Sequence, residues 1–199
     1  MARRVMIDSQ LRPQGVTDGG VLAAMGALAR ENYVPEAARA FAYFDRPLKV
    51  SGDRAIMPPA AIGRLLSELA PRPGERALVV GAATGYSAAL LGLIGLDVTA
   101  TEEDSALAAT AREMGVDISA SDDGAPYDLI LIDGAIEYIP EELVGRLVEG
   151  GRLGTALLDR GVSRLVVGRA ASGRLGLRTI VDADVAPLPG FERARAFTF

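Results

Sequence analysis

The chain reads as an α/β protein built on a mostly parallel, doubly wound sheet with an antiparallel edge. Three observations predict this. Apolar strand-like runs and helical patterns alternate after the turn Pro71 to Gly74. The first of those strands runs straight into a small-residue turn and an apolar helix, ALVVGAATGYS at Ala77 to Ser87. Beyond residue 160 the pattern changes to strands joined by ASG at Ala171 to Gly173, a hairpin signal. The 199 residues, 49% hydrophobic and 24% charged, suit one sizeable domain with a short extension.

Taken in order, Thr17 and Asp18 cap a helix carrying Val21, Met25 and Leu28 at helical spacing, and Tyr33 to Pro35 end it. Ala37 to Tyr43 forms another turn or two, and Asp45 to Asp53 a small hairpin or loop. Pro58 and Pro59 open a helix with Ile62, Leu65, Leu66 and Leu69 on one face. Residues 1–70 form an N-terminal helical extension, and residues 71–199 the core of the same unit. In the core, Arg76 to Val80 is a buried strand and Tyr86 to Ile94 its helix. Asp97 to Thr101 is the second strand, and Asp104 caps a helix through Met114. Val116 to Ala120 and Tyr127 to Ile132 are the third and fourth strands, the latter ending at Asp133. Pro140 opens a helix to Val148 that Gly150 and Gly151 stop, and Arg152 to Leu158 is the fifth strand. Arg164 to Arg169, Arg174 to Val181 and Ala194 to Phe199 are the last strands.

Composition removes several chemistries. There is no histidine and no cysteine, which excludes a Ser-His-Asp or Cys-His nucleophile, disulfides and the usual zinc sites. No metal site is expected. No Walker phosphate loop is present, and Lys49 is the only lysine. The net charge of −5 argues against a nucleic-acid partner. The start, MARRVMIDSQ, has no apolar core of a secretory signal, and Ala88 to Leu96 is too short to span a bilayer, so neither membrane association nor export is expected. Cysteine-free composition is compatible with the cytoplasm.

In such sheets ligands bind at the carboxyl ends of the strands. Three elements converge there by position: the turn Gly81 to Gly85 with the start of its helix, Glu102 closing the second strand, and Asp133 closing the fourth. Glu102 follows Gly85 at close to the spacing of an acid that binds ribose hydroxyls. A tight strand–helix turn with a helix-capping carboxylate would produce the same elements without a ligand. GAATG is not GxGxxG, so a dehydrogenase has little support.

Together the residues resemble the protein-L-isoaspartate O-methyltransferase family. The likeness runs through DSQLRPQGVTD (Asp8 to Asp18), VLAAM (Val21 to Met25), ENYVPE (Glu31 to Glu36), AYFDRPL (Ala42 to Leu48), ATGYSAALL (Ala83 to Leu91), APYDLILIDGA (Ala125 to Ala135), IPEEL (Ile139 to Leu143) and GGRL (Gly150 to Leu153). It implies a Rossmann-like class I methyltransferase fold, S-adenosylmethionine as cofactor, and methyl transfer to a side-chain carboxylate of a protein or peptide, the chemistry of protein repair. Carried onto this chain, it implies cofactor contacts from Gly81, Ala82, Thr84, Gly85, Tyr86, Glu102, Asp122 and Asp133. A carboxylate acceptor is already ionised at neutral pH, so the lack of histidine costs nothing.

The chain also departs from the family. Val79 stands where members usually carry an acid, and Ala83 where they carry glycine, which puts a methyl group where backbone and ligand should meet. In the acceptor loop, Ala55 and Met57 replace a threonine and a serine linked to catalysis, so no catalytic residue is assigned. A non-catalytic binding or scaffold module is the alternative these changes raise, with a methyltransferase of altered acceptor as a third.

Overall fold

The computed structural model describes residues 1–119 and 124–193. Helix α1 (Ala2–Met6) runs into a π-helical turn (Ile7–Leu11). Helix α2 (Gly19–Ala27) starts where the Asp18 carboxylate accepts the Val21 N–H at 2.9 Å. Short 3-10 turns (Arg30–Tyr33 and Glu36–Phe41) follow. The turn-rich stretch after them forms an antiparallel hairpin, β1 (Leu48–Ser51) and β2 (Arg54–Ile56). Helix α3 (Pro59–Leu69) begins at the expected prolines and buries Ile62, Leu65, Leu66 and Leu69.

The core alternates as the sequence predicts: β3 (Arg76–Val80), α4 (Tyr86–Ile94), β4 (Asp97–Thr101), α5 (Ser105–Glu113), β5 (Ile118–Ser119), β6 (Tyr127–Ile136), α6 (Glu141–Val144), β7 (Leu147–Asp159), β8 (Val162–Ala171) and β9 (Arg174–Asp182). The sheet order is β5-β4-β3-β6-β7-β8-β9, parallel through β7 and antiparallel for β8 and β9. Strand alternation sorts the core by face. Ala77, Val79, Leu129 and Leu131 pack with α2, α3 and α4, whereas Leu78, Ile130 and Ile132 pack on the opposite face with Leu188 and Leu143.

Three boundaries differ from expectation. β6 continues past Asp133 to Ile136, because Ala135 pairs with β7 and also with the tail: its N–H donates to the Ala186 carbonyl at 2.9 Å, and its carbonyl accepts the Leu188 N–H at 2.8 Å. Asp133 therefore lies inside a strand. α6 is cut to four residues, because β7 starts pairing at Leu147 and absorbs Gly150 and Gly151 at a register shift. β5 is only Ile118–Ser119. The strand expected at residues 194–199 lies outside the described residues.

Candidate active site

The turn after β3 has its backbone directed inward. The N–H groups of Gly81 and Ala82 both donate to the Thr101 carbonyl at 3.0 Å, which fastens the turn to the end of β4. Gly81 has φ +71°, and a Cβ there would sit 2.6 Å from Leu188 Cδ1. Only glycine suits both the backbone and the space. Ala83 also adopts a left-handed conformation, at φ +49°. It belongs to an apolar cluster with Val34, Leu48, Ile56 and Leu107 and does not line the cleft described below. Val79 is fully buried in the middle of the sheet. Both departures from the family pattern are packed as core residues.

The Glu102 side chain is completely buried and accepts four hydrogen bonds. Two are backbone N–H groups, Ala83 at 2.7 Å and Asp104 at 3.0 Å. The other two come from the Arg54 guanidinium, Nη1 at 2.6 Å and Nη2 at 2.8 Å, a bidentate ion pair. Arg54 Nη2 also donates to the Gly81 carbonyl at 3.0 Å. Asp104 turns away to cap α5, accepting the Ala106 and Leu107 N–H groups.

A cleft of about 740 Å³ opens at this corner. Gly81, Thr101 and Glu102 to Ser105 form its polar side, with Arg54 at its edge. Leu78, Val80, Leu143, Leu188 and Phe191 form an apolar side. Only residues 120–126 separate β5 from β6, fewer than the roughly dozen that a crossover helix needs. This sheet face is covered instead by α6 and by the tail bearing Leu188, and the cleft lies between that cover and the strand ends. The cleft thus joins a turn that tolerates no Cβ, an apolar wall, and an acid whose oxygens Arg54 and two backbone N–H groups occupy.

Asp133 is placed differently. It is buried, and its one hydrogen bond among the described residues comes from the Ser87 hydroxyl. Desolvation raises its pKa from 3.8 to about 6, against the smaller lowering effects of Ser87, Arg54 and Arg30. Beside it, Arg30 is fully buried and stacks 4.7 Å from the Tyr86 ring centroid. Arg30 ties the end of the second 3-10 turn to the segment before α3, donating to the carbonyls of Ala42 at 2.8 Å and Met57 at 2.5 Å. The Thr84 hydroxyl donates to the Tyr33 carbonyl at 2.7 Å. The Met57 side chain is core packing.

Of the expected site residues, Gly81 and Glu102 line the cleft. Ala82, Thr84, Gly85, Tyr86 and Asp133 lie behind it, holding the turn and the helix start. Asp122 falls outside the described residues. Sequence reading missed Arg54 and Leu188. Arg54 lay in a stretch read only as a hairpin or loop before the acceptor segment, and Leu188 in the proline-rich VAPLPG run, and neither position carried a motif. Among the described residues no group of three or more acids is placed to hold a metal ion, and no helix is long and apolar enough to cross a membrane.

Comparison with known proteins places the whole chain. A Plasmodium falciparum protein of similar fold, crystallised in complex with S-adenosyl-L-homocysteine, superposes with a TM-score of 0.79 over 94% of this chain and 97% of its own, at 20% identity. The protein-L-isoaspartate O-methyltransferase of Methylorubrum populi is 39% identical over 76% of this chain and 77% of its own. That of Koribacter versatilis is 35% identical over 94% of this chain and 90% of its own. The sequence model of Protein-L-isoaspartate(D-aspartate) O-methyltransferase matches residues 2–161. With that match over most of the chain, and despite the departures at Val79, Ala83, Ala55 and Met57, the chain belongs to the protein-L-isoaspartate O-methyltransferase family of S-adenosylmethionine-dependent protein carboxyl methyltransferases.

Proposed function

We propose that this chain methylates a side-chain carboxylate of a protein or peptide, with isoaspartyl residues as the first acceptor to test. The observation that carries the reading is the corner where Gly81 and Glu102 meet the 740 Å³ cleft. Glu102 holds the ribose hydroxyls, Gly81 admits the amino-acid end close to the backbone, and Leu78, Val80, Leu143 and Phe191 offer an apolar wall to the adenine. Ala82, Thr84, Gly85, Tyr86 and Asp133 keep the turn in shape from behind. When bound, S-adenosylmethionine supplies an electrophilic methyl group: the acceptor oxygen bonds to the methyl carbon as the carbon–sulfur bond breaks, and the electron pair leaves with sulfur.

No proton moves, because a carboxylate of pKa roughly 4 arrives ionised. The chain's work is therefore alignment and exclusion of water. Arg30 does part of it, since its bonds to the Ala42 and Met57 carbonyls fix the segment that leads into α3. The first seventy residues serve as the acceptor-side cap, residues 71–199 hold the cofactor, and the cytoplasm is where such an activity would meet its substrates. A scaffold role predicts a filled or collapsed cofactor pocket, and the open cleft of about 740 Å³ speaks for the methyltransferase instead.

The test is transfer of labelled methyl from S-adenosylmethionine to an isoaspartyl peptide beside its aspartyl twin. An alkali-labile methyl ester on the isoaspartyl peptide alone is expected. Label on neither peptide, and on no other carboxylate of a broad panel, would overturn the proposal.

A further inference from the structure

The four donors on Glu102 leave no room for more. An ionised carboxylate offers about four acceptor positions. Here Ala83, Asp104 and the two Arg54 nitrogens take them at 2.6–3.0 Å. The backbone donors belong to the turn and to the start of α5, so they stay. Arg54 is the one partner that can leave, since it reaches in from β2 of a two-stranded hairpin. It also holds the Gly81 carbonyl, so a single side chain lies across both cleft-lining residues assigned to the cofactor. A ribose and Arg54 compete for the same oxygens.

The cleft's charge says where the displaced guanidinium goes. Its lining carries three acids, Glu102, Glu103 and Asp104, and Arg54 is the only cation among the described lining residues. A carboxylate approaching this corner is repelled by the acids and has one cation to meet. Arg54 lies three positions before Met57, on the strand that runs into the acceptor loop, so displacement moves it on the acceptor's side of the cleft.

We propose that Arg54 exchanges partners: it gates Glu102 until the cofactor's ribose displaces it, and the freed guanidinium then binds the carboxylate of the acceptor. Binding is thereby ordered, cofactor before acceptor. The gate lowers apparent cofactor affinity by the fraction of molecules in which Arg54 is off Glu102. This inference rests on the proposed methyl transfer, and its test separates the two.

Calorimetric titration with S-adenosylhomocysteine of the wild type, Arg54→Gln and Arg54→Lys reads the gate without turnover. Thermal melts confirm that each variant folds, and Arg54→Lys retains a charge for Glu102 if Arg54→Gln does not fold. Arg54→Gln binds S-adenosylhomocysteine roughly tenfold more tightly than the wild type, and Arg54→Lys falls between. In the methyl-transfer assay the same variants raise the KM for an isoaspartyl peptide about tenfold, with a smaller change in kcat. Equal or weaker binding by both variants, with a wild type that binds, overturns the gate and leaves the methyl-transfer reading standing. Tighter binding with an unchanged peptide KM overturns the acceptor half. No binding by any of the three proteins overturns both readings.

Discussion

Glu102 and Asp133 are both acids at the carboxyl side of parallel strands, both are nearly out of solvent, and they are satisfied in opposite ways. Glu102 receives a bidentate guanidinium and two backbone N–H groups at the mouth of the cleft. Asp133 receives one serine hydroxyl behind the turn, and burial raises its pKa to about 6. One pattern in the sequence, an acid after an apolar strand, thus yields an ion-paired acid lining the cleft in one place and a buried group with a raised pKa in the other. The difference lies in what surrounds each acid. β4 ends at Thr101, and Glu102 is exposed to the turn, the hairpin and the start of α5. β6 runs on, and Asp133 is enclosed within its own strand, against Ser87 of α4 and near the buried Arg30.

The largest expected effect is at the cleft end. Gly81→Val introduces a β-branched side chain at φ +71° and toward Leu188, so it abolishes binding of S-adenosylhomocysteine, by more than about a hundredfold in titration. Retained binding would mean that the ligand does not approach this turn. Next is Met57→Ser, which restores the family's hydroxyl at a buried core position. It costs about 2–4 kcal/mol in denaturant unfolding, the range of large-to-small core changes, whatever it does to activity. A stability loss under about 1 kcal/mol would show that Met57 is not core.

Asp133 gives an effect with a defined sign. Its folded-state pKa is raised, so its contribution favours folding below pH 4 and is lost as pH rises through about 6. A shift of about two units corresponds to about 3 kcal/mol. The stability of Asp133→Asn relative to the wild type therefore increases by about that amount between pH 4 and 7. A flat difference across this window would erase the contrast with Glu102. The smallest effect is at Ala83. Glycine there relieves a left-handed alanine, worth about 1–2 kcal/mol, but loses a buried methyl worth about 0.8 kcal/mol and the stiffer unfolded chain of alanine, worth about 0.4–1 kcal/mol. Ala83→Gly thus stays within about 0.5 kcal/mol of the wild type, and a larger loss of stability would show that the methyl matters more than the backbone.

Much of the fold was legible because it rests on local signals. The strand–turn–helix at residues 76–94, the Asp18 and Asp104 caps, the paired prolines before α3 and the β8–β9 hairpin each sit in a few consecutive residues. What was not legible depends on contacts distant in sequence. β6 outruns its expected end because residues 186–188 pair with Ala135 from fifty positions away. Gly150 and Gly151 read as a helix stop and become strand because Leu147 already pairs with Tyr127. At the site, Gly81 and Glu102 were found by position on the strands. Arg54 was not, since forty-eight residues separate it from its partner and only the folded hairpin brings the two together. Ala83 was read as a methyl group where backbone and ligand should meet, and its membership of an apolar cluster with Val34, Leu48, Ile56 and Leu107 is a contact among distant residues that no local motif carries.

The central claim is that the cleft beside Glu102 is a working cofactor site, and S-adenosylhomocysteine titrated into the wild type and Glu102→Ala tests it most directly. Micromolar binding by the wild type, weakened at least about tenfold in a folded Glu102→Ala, is the predicted result. Equal binding by the two proteins, or none by a folded wild type, would contradict it.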